Sequence, residues 1–600
     1  MPSCRPHLIV ISVALAAQVA AVALTASATC DEPAHMAASL HMWDTGKFDA
    51  YRVTPPLQKF ASGLAMLPLS PERTYRTYAD KPNVRPEWEL GRDLFNANTK
   101  HWHWMLIASR LPGVLLAAFG AAAVYSWSSE LQSCARPSAA TGKQGFLAAI
   151  LFCFCPNIVA AAAIGTSDIY AAVLGVVATH SFWKWIRTPC WKFAIYSGAT
   201  LGLAALSKLT WLILFPLWPV LWIIWASTGE KPLRLAEWKS GIAQLSATLL
   251  IATLAINCGY AFDGSFLKLR DFKFASNFLA GGESTGPGDK WGNRFAGSPI
   301  GEIRIPLPRE YVRGIDLQKS EFEAGKLSYL NGRWAPRGWW YYYIVASFVK
   351  IPIPVLLLVG VAACLRITSL FAFPNRGWQD SLSWRDDLVI LAPAVTLFII
   401  ASLESGFSRY FRYVLPCLPL TYIATARTML LIDLLKPSSR LHTLMARAVP
   451  ILAAWSIASG AMSVPHSLSY FNEIAGGARG GTRYLLDGNV DWGQDLYRLK
   501  DWAGKNPEKV PLYVAVFSPV HPALYEIVCT SAPEEISAGW YAVSAHRLYG
   551  PNGRFDRLRG TKPIEVVGSS IYIFHVAEPP KTLDSDPARL DPTVRRGRPP

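Results

Sequence analysis

The 600-residue sequence predicts an all-α polytopic membrane protein with a small α/β domain towards its C-terminal end. Three observations predict it. Hydrophobic residues make up 51% of the chain and charged residues only 17%, where an average soluble protein has about 25% charged. The apolar residues are gathered into long runs. The basic residues cluster in alternate short loops between those runs. A formal charge of +16 would suit nucleic acid, an anionic membrane or an acidic substrate. The runs exclude a soluble enzyme and argue against a nucleic-acid partner.

A bilayer core about 30 Å thick takes about 20 apolar helical residues to cross. Runs of this kind lie near 8–28, 104–127, 145–164, 170–186, 193–207, 209–226, 241–258, 345–366, 388–403, 412–430 and 448–464. About eleven spans are therefore expected. The first run, with Arg5 before it and Ala26-Ser27-Ala28 after it, also has features of a cleaved secretory signal. Its length favours a retained helix. With the N-terminus inside, the inner loops hold Arg136 and Lys143, then Arg187 and Lys192, then Lys231, Arg234 and Lys239. Further along they hold Arg366, Arg376 and Arg385, then Lys436, Arg440 and Arg447. The short outer loops hold only Lys208, Arg409 and Arg412. Basic residues mark cytoplasmic loops, so the N-terminus is expected inside and the C-terminal segment outside.

Residues 1–464 thus read as a transmembrane domain with long outer segments near 30–103 and 259–344. Residues 465–578 read as an outer α/β domain, with strand-like runs at Pro511–Phe517 and Ile564–His575 and a helical stretch at Asp495–Gly504. The last residues, 579–600, are rich in Pro, Arg and Asp and read as disordered. The aromatic run Trp339–Tyr343 marks a membrane boundary, and Pro352 and Pro354 suit the start of a helix. Gly198-x-x-x-Gly202 is a pattern for close helix contact. The ten cysteines form no disulfide framework and no C-x-x-C pair.

Charges at the outer helix ends are the candidates for chemistry. Asp31 and Glu32 follow the first run, with His35 one turn beyond Asp31. Charge so near hydrocarbon must be solvated, paired or useful. Asp168 opens the run at 170–186, where it also suits a helix N-cap. Lys208, Arg409 and Arg412 stand at outer ends, where phosphate binding competes with snorkelling to lipid. Lys350 beside Pro352 is similar, and Tyr410 suits stacking on a sugar.

The order of these groups resembles a known pattern. Asp31-Glu32 is followed by Thr54-Pro55-Pro56-Leu57, Gly165-Thr166-Ser167-Asp168 and Leu206-Ser207-Lys208-Leu209-Thr210. Then come Arg409-Tyr410-Phe411-Arg412-Tyr413, Tyr470-Phe471-Asn472-Glu473 and Asp491-Trp492-Gly493-Gln494-Asp495. The set resembles the GT-C glycosyltransferases. It is most similar to glycosyltransferase family 39, the dolichyl-phosphate-mannose–protein mannosyltransferases, and to the bacterial lipid A aminoarabinose transferases. The resemblance implies inverting sugar transfer from a polyprenyl-phosphate carrier to a protein, lipid or envelope-glycan hydroxyl. It implies Asp31 as general base, Glu32 as its positioning partner and Asp168 as a second carboxylate. His35, Lys208, Lys350, Arg409, Tyr410 and Arg412 are then expected on the substrate side. The implied setting is a bacterial plasma membrane, with membrane lipids around the chain. No cofactor is required by the pattern, although a divalent cation at Asp31, Glu32 and Asp168 is conceivable.

The residues alone ask for the same parts. A lipid-linked donor needs a base for the acceptor, cations for the leaving phosphate and a roof against water. Asp487-x-Asn489-x-Asp491 begins like a calcium loop, but Trp492 and Arg498 stand where glycine and glutamate belong. No phosphate-binding glycine motif points to a nucleotide-sugar donor. A transporter or flippase for an amphiphilic glycolipid is the alternative. Its usual inverted repeats are not evident here, and the charges gather at one face.

Overall fold

The computed structural model describes residues 5–135, 142–229, 234–282, 291–372, 383–404, 406, 408–435 and 437–577. The expected disordered tail 579–600 lies outside the described residues, as do Arg136, Lys231, Arg376 and Lys436.

Among the described residues, six helices are long and apolar enough to cross a membrane. They are Pro6–Thr25, Trp102–Ala135, Leu209–Ser227, Leu235–Gly259, Trp384–Leu403 and Arg440–Ser463. Two bent pairs raise the total to eight if each pair is one span: Lys143–Cys153 with Pro156–Ala162, at 64°, and Tyr342–Lys350 with Ile353–Thr368, at 114°. The chain is an integral membrane protein, and six to eight spans are accounted for by long helices among the described residues. The remaining runs form shorter or more polar helices. Asp168–Arg187 has 20 residues but carries Asp168, Lys184 and Arg187. Trp191–Ser207 has 17 residues, and Cys417–Ala426 has 10.

Proline accounts for both bends. Pro156 and Pro352 each lack the amide hydrogen that would continue the preceding helix. Asp168–Arg187 packs on Trp191–Ser207, which packs on Leu235–Gly259. At the second contact a Cβ on Gly198 would lie 2.5 Å from the Thr248 carbonyl oxygen, and one on Gly202 2.4 Å from the Ala255 Cβ. The Gly-x-x-x-Gly pattern is therefore a real close approach.

Outside the long helices, Glu32–Thr45, Leu57–Met66 and Glu87–Ala97 pack together in the segment after the first helix. The segment after Leu235–Gly259 holds the helix Arg309–Ala324 and a hairpin of β1 (Ser328–Leu330) and β2 (Arg333–Ala335). Asn331 and Gly332 turn that hairpin with φ of 49° and 81°, as a two-residue primed turn requires.

The C-terminal region is a five-stranded sheet of order β4-β3-β5-β7-β6. Its strands are β3 (Leu512–Ala515), β4 (Thr530–Ser531), β5 (Gly539–Ser544), β6 (Glu565–Val567) and β7 (Ile571–Val576). β3 runs parallel to β4 and β5, and β7 runs antiparallel to β5 and β6. The strand-like run Ile564–His575 is split by a turn at Gly568, whose φ is +63°. The helix Leu496–Lys505 buries Leu496, Leu499 and Trp502.

This region meets the first helix through main-chain pairing. Ser27 N donates to the Gln494 carbonyl at 3.0 Å, and Cys30 N to the Trp492 carbonyl at 2.9 Å. The Ser27 hydroxyl donates to the Gly493 carbonyl at 2.7 Å and accepts from Leu496 N at 2.9 Å. Gly493 sits at φ +91°, and a Cβ there would lie 2.9 Å from the Phe517 carbonyl oxygen and 3.3 Å from that of Ala28. The Gly493→Ala substitution should therefore destabilise the protein by about 1–3 kcal/mol. Thermal unfolding in detergent measures it, and an unchanged midpoint would contradict the close packing of this joint.

Candidate active site at the outer helix ends

The site begins with a buried ion pair. Glu32 is fully buried, and Arg110 from Trp102–Ala135 grips it with both ends of its guanidinium, Nε to Oε1 at 2.6 Å and Nη2 to Oε2 at 2.7 Å. Glu32 also accepts from Thr29 N, at 2.8 Å, the Thr29 hydroxyl, at 3.0 Å, and Gly165 N, at 2.8 Å. Burial works against its charge, but Arg110 and these donors outweigh it and hold the carboxyl below its usual range. Arg110 spends its other hydrogens on the carbonyls of Ala23, Ala26 and Ser27. Glu32 is thus a frame residue that ties the end of the first helix to two others.

Asp31, next in the chain, faces a second cluster. Arg412 Nη2 lies 2.8 Å from Asp31 Oδ2, and Nη1 lies 3.4 Å from Asp168 Oδ2. Lys208 Nζ lies 2.6 Å from Asp168 Oδ1. Ser167 and Asp168 make no side-chain cap to their helix, so the N-cap reading of Asp168 gives way to ion pairing. The guanidinium carbon of Arg412 lies 4.2 Å from the Trp492 ring centre, 4.7 Å from Tyr410 and 5.6 Å from Tyr413. These rings hold the cation from several sides and limit water around it. Arg412 Nε is buried without a partner among the described residues.

Lys350 joins the cluster from the bend at Pro352. With Asp168, Tyr410, Arg412 and Trp492 it lines a cavity of about 50 Å³. Its Nζ donates to the Asn489 carbonyl at 2.9 Å. Arg409 turns aside. It pairs with Asp487, Nη2 to Oδ2 at 2.7 Å, and His546 Nδ1 lies 2.7 Å from the other Asp487 oxygen. Burial opposes the Asp487 charge, but His546 and Arg409 together keep its carboxyl below the usual range.

His35 is buried against Tyr51, ring centres 4.8 Å apart. Its Nδ1 lies 2.8 Å from Gln58 Oε1. Gln58 Nε2 donates to the Gly165 carbonyl at 3.0 Å and to the Ser62 hydroxyl at 2.8 Å. A carbonyl only accepts, so the Gln58 amide orientation is settled and His35 Nδ1 is the donor to Oε1. The second nitrogen, Nε2, then carries the lone pair. Burial outweighs the pull of Asp31 and lowers the imidazole pKa to about 4.

The charges present do not suit a divalent cation. Glu32 belongs to Arg110, while Asp31 and Asp168 share Arg412, with Lys208 on the second. Among the described residues no group of three candidate ligands converges on a metal position.

The chain is similar in backbone to several solved structures. One is ArnT from Cupriavidus metallidurans bound to undecaprenyl phosphate, with 13% identity over 95% of this chain and 98% of that one and a TM-score of 0.44. Another is the Saccharomyces cerevisiae protein O-mannosyltransferase Pmt1-Pmt2 complex bound to its sugar donor, with 10% identity, 78% and 90% coverage and a TM-score of 0.46. A third is the archaeal oligosaccharyltransferase AglB from Archaeoglobus fulgidus, with 11% identity, 84% and 59% coverage and a TM-score of 0.44. No protein-family model and no curated protein matches the chain.

Several site residues escaped the sequence reading. Arg110 lay inside an apolar run, and a charge at membrane depth is itself a signal. Asp487 was weighed only as a calcium ligand. His546 and Gln58 carried no local signal, since their partners are distant in the chain.

Two outcomes follow from this frame. Arg110→Met should destabilise the protein by about 3–5 kcal/mol, because Glu32 would stay buried and unpaired. Chemical or thermal unfolding in detergent reads this, and a loss under 1 kcal/mol would contradict it. For His35 the ordinary pKa of 6.5 applies to the unfolded chain and about 4 to the folded one. Above pH 6.5 both forms are neutral and the group contributes no slope. As pH falls from 6.5 to 4 the unfolded chain takes up the proton first, so stability drops by about 3 kcal/mol. His35→Gln should flatten the stability profile in that window.

Proposed function

We propose that this protein is a membrane glycosyltransferase. It moves a sugar from a polyprenyl-phosphate carrier to an acceptor hydroxyl at the extracytoplasmic face, with inversion at the sugar carbon. The observation that carries the reading is Arg412 standing between Asp31 and Asp168, with Lys208 beside it. The motif resemblance supports it.

The chemistry assigns each group a task. Asp31 takes the acceptor proton as the acceptor oxygen forms its bond to the sugar carbon. The bond from that carbon to the phosphate oxygen breaks, and the phosphate keeps the electron pair. Arg412 and Lys208 neutralise the growing charge. An arriving phosphate competes with the carboxylates for Arg412, so donor binding itself releases Asp31 as a base. The unpartnered Arg412 Nε offers a further donor to that phosphate. Asp168 holds Lys208 in place, and Lys350 lines the same cavity, its Nζ fixed on the Asn489 carbonyl. Tyr410 and Trp492 keep the guanidinium flat between them. His35 stays neutral beside Asp31 and presents Nε2 as an acceptor for substrate hydroxyls. The C-terminal region covers the site and selects the acceptor.

Asp31→Asn should lower transfer by about 10²–10⁴-fold while leaving the protein inserted and folded. Release of sugar from a polyprenyl-phosphate donor by detergent-purified protein is the assay. Full activity in the variant would remove Asp31 as the base. A wild-type protein that moves the intact lipid-linked sugar across a bilayer without breaking its bond would point to a flippase instead.

A further inference from the structure

A second, roomier cavity lies away from Asp31, at the carboxyl ends of β3 and β5. It measures about 730 Å³, within the ordinary range of small-molecule sites, about 300–1,000 Å³. The topology explains it. From β3 the chain crosses to β4 on one side, and its next strand, β5, lies on the other side of β3. In open sheets with parallel strands the crevice at such a reversal is where ligands bind. The helix Glu87–Ala97 of the segment after the first helix forms the opposite wall.

Its charge is one-sided. Arg92, Arg547 and Arg554 line it, and no aspartate or glutamate does. Among the described residues none of the three is ion-paired with a carboxylate, and all three are exposed. Phe95 and Phe555 are buried beneath the walls and stiffen them, and Asn96 supplies an exposed amide that suits a sugar hydroxyl. The neighbouring edge strand β4 has two residues, too short a template to pair an extended peptide.

The crevice adjoins the proposed reaction site through one stretch of chain. His546 lines it and reaches Asp487, which holds Arg409. The His546 amide donates to Asp491 at 3.0 Å, and Trp492 follows with its ring on Arg412. The stretch Asp487–Trp492 thus lines the smaller cavity and contacts His546 in the wall of the larger one.

We propose that this crevice binds the oxyanion, carboxylate or phosphate, of an acidic carbohydrate, and that this carbohydrate is the acceptor. Its role as acceptor rests on the transferase reading; its binding does not. The exposed arginines take the oxyanion, the Asn96 amide meets a ring hydroxyl, and the reacting hydroxyl is directed past Asp487–Trp492.

Binding to the full-length protein in detergent tests this by calorimetry with three probes: a galacturonate trimer, its methyl ester and glucose 6-phosphate. At least one acidic probe should bind, tenfold or more tighter than the ester, and weaken as salt is raised. A carboxylate preference and a phosphate preference are read from the first and third probes. Arg547→Gln with Arg554→Gln should weaken the acidic probe at least tenfold, and Arg92→Gln on the opposite wall should weaken it independently. Arg547→Lys with Arg554→Lys should keep most of the binding. Equal binding of acid and ester, no binding of any probe, or unchanged binding in the glutamine variants would overturn the proposal. Sugar release from a polyprenyl-phosphate donor by the wild-type protein is measured in parallel. Probe binding without sugar release would fault the transferase reading alone, and sugar release without probe binding would fault the crevice alone.

Discussion

The Glu32–Arg110 pair is the constraint on which the outer face depends. It brings a carboxylate and a guanidinium together where neither meets water, so each must be satisfied by the other and by the main chain. Glu32 collects the Thr29 and Gly165 amides, and Arg110 collects the carbonyls left open at the end of the first helix. Three separate segments are thereby held at one point. Asp31 is the adjacent residue, and its position follows from that geometry.

The second cluster is built differently. Its two carboxylates and two cations balance in charge, but the bonds are shared unequally. Asp168 has Lys208 closely and Arg412 loosely, while Asp31 has Arg412 alone. In the proposed reaction the donor phosphate takes Arg412 from Asp31, which leaves that carboxylate free to act as a base. The surrounding rings of Tyr410, Tyr413 and Trp492 keep Arg412 aligned through the exchange. A frame that cannot yield thus stands beside a cluster that can.

Much of this was legible in the residues. Apolar runs with alternate basic loops marked a helical membrane protein, and the short strand-like runs marked the C-terminal sheet. Helix bounds were less legible, because an apolar run such as 412–430 registers hydrophobicity and not helix length; its helix, Cys417–Ala426, starts only after Pro416. Asp31, Asp168, Lys208 and Arg412 were each visible as rare charges at outer helix ends, and the fold brings those four together. Which carboxylate serves the frame and which pairs with Arg412 was not legible, because that depends on Arg110, 78 positions from Glu32. The His546 link to Asp487 was hidden for the same reason. Its two ends carry no shared local pattern.

The joint between Ser27–Cys30 and Trp492–Gln494 spans 466 positions at Ser27 and Gly493. During synthesis at about 5–20 residues per second, the first helix enters the membrane tens of seconds before its partner exists. Through that interval Ser27 and Cys30 lack the main-chain partners that Trp492–Gln494 supply, and Asp31 lacks Arg412. The joint is therefore closed late, by a segment made long after the helix that it meets.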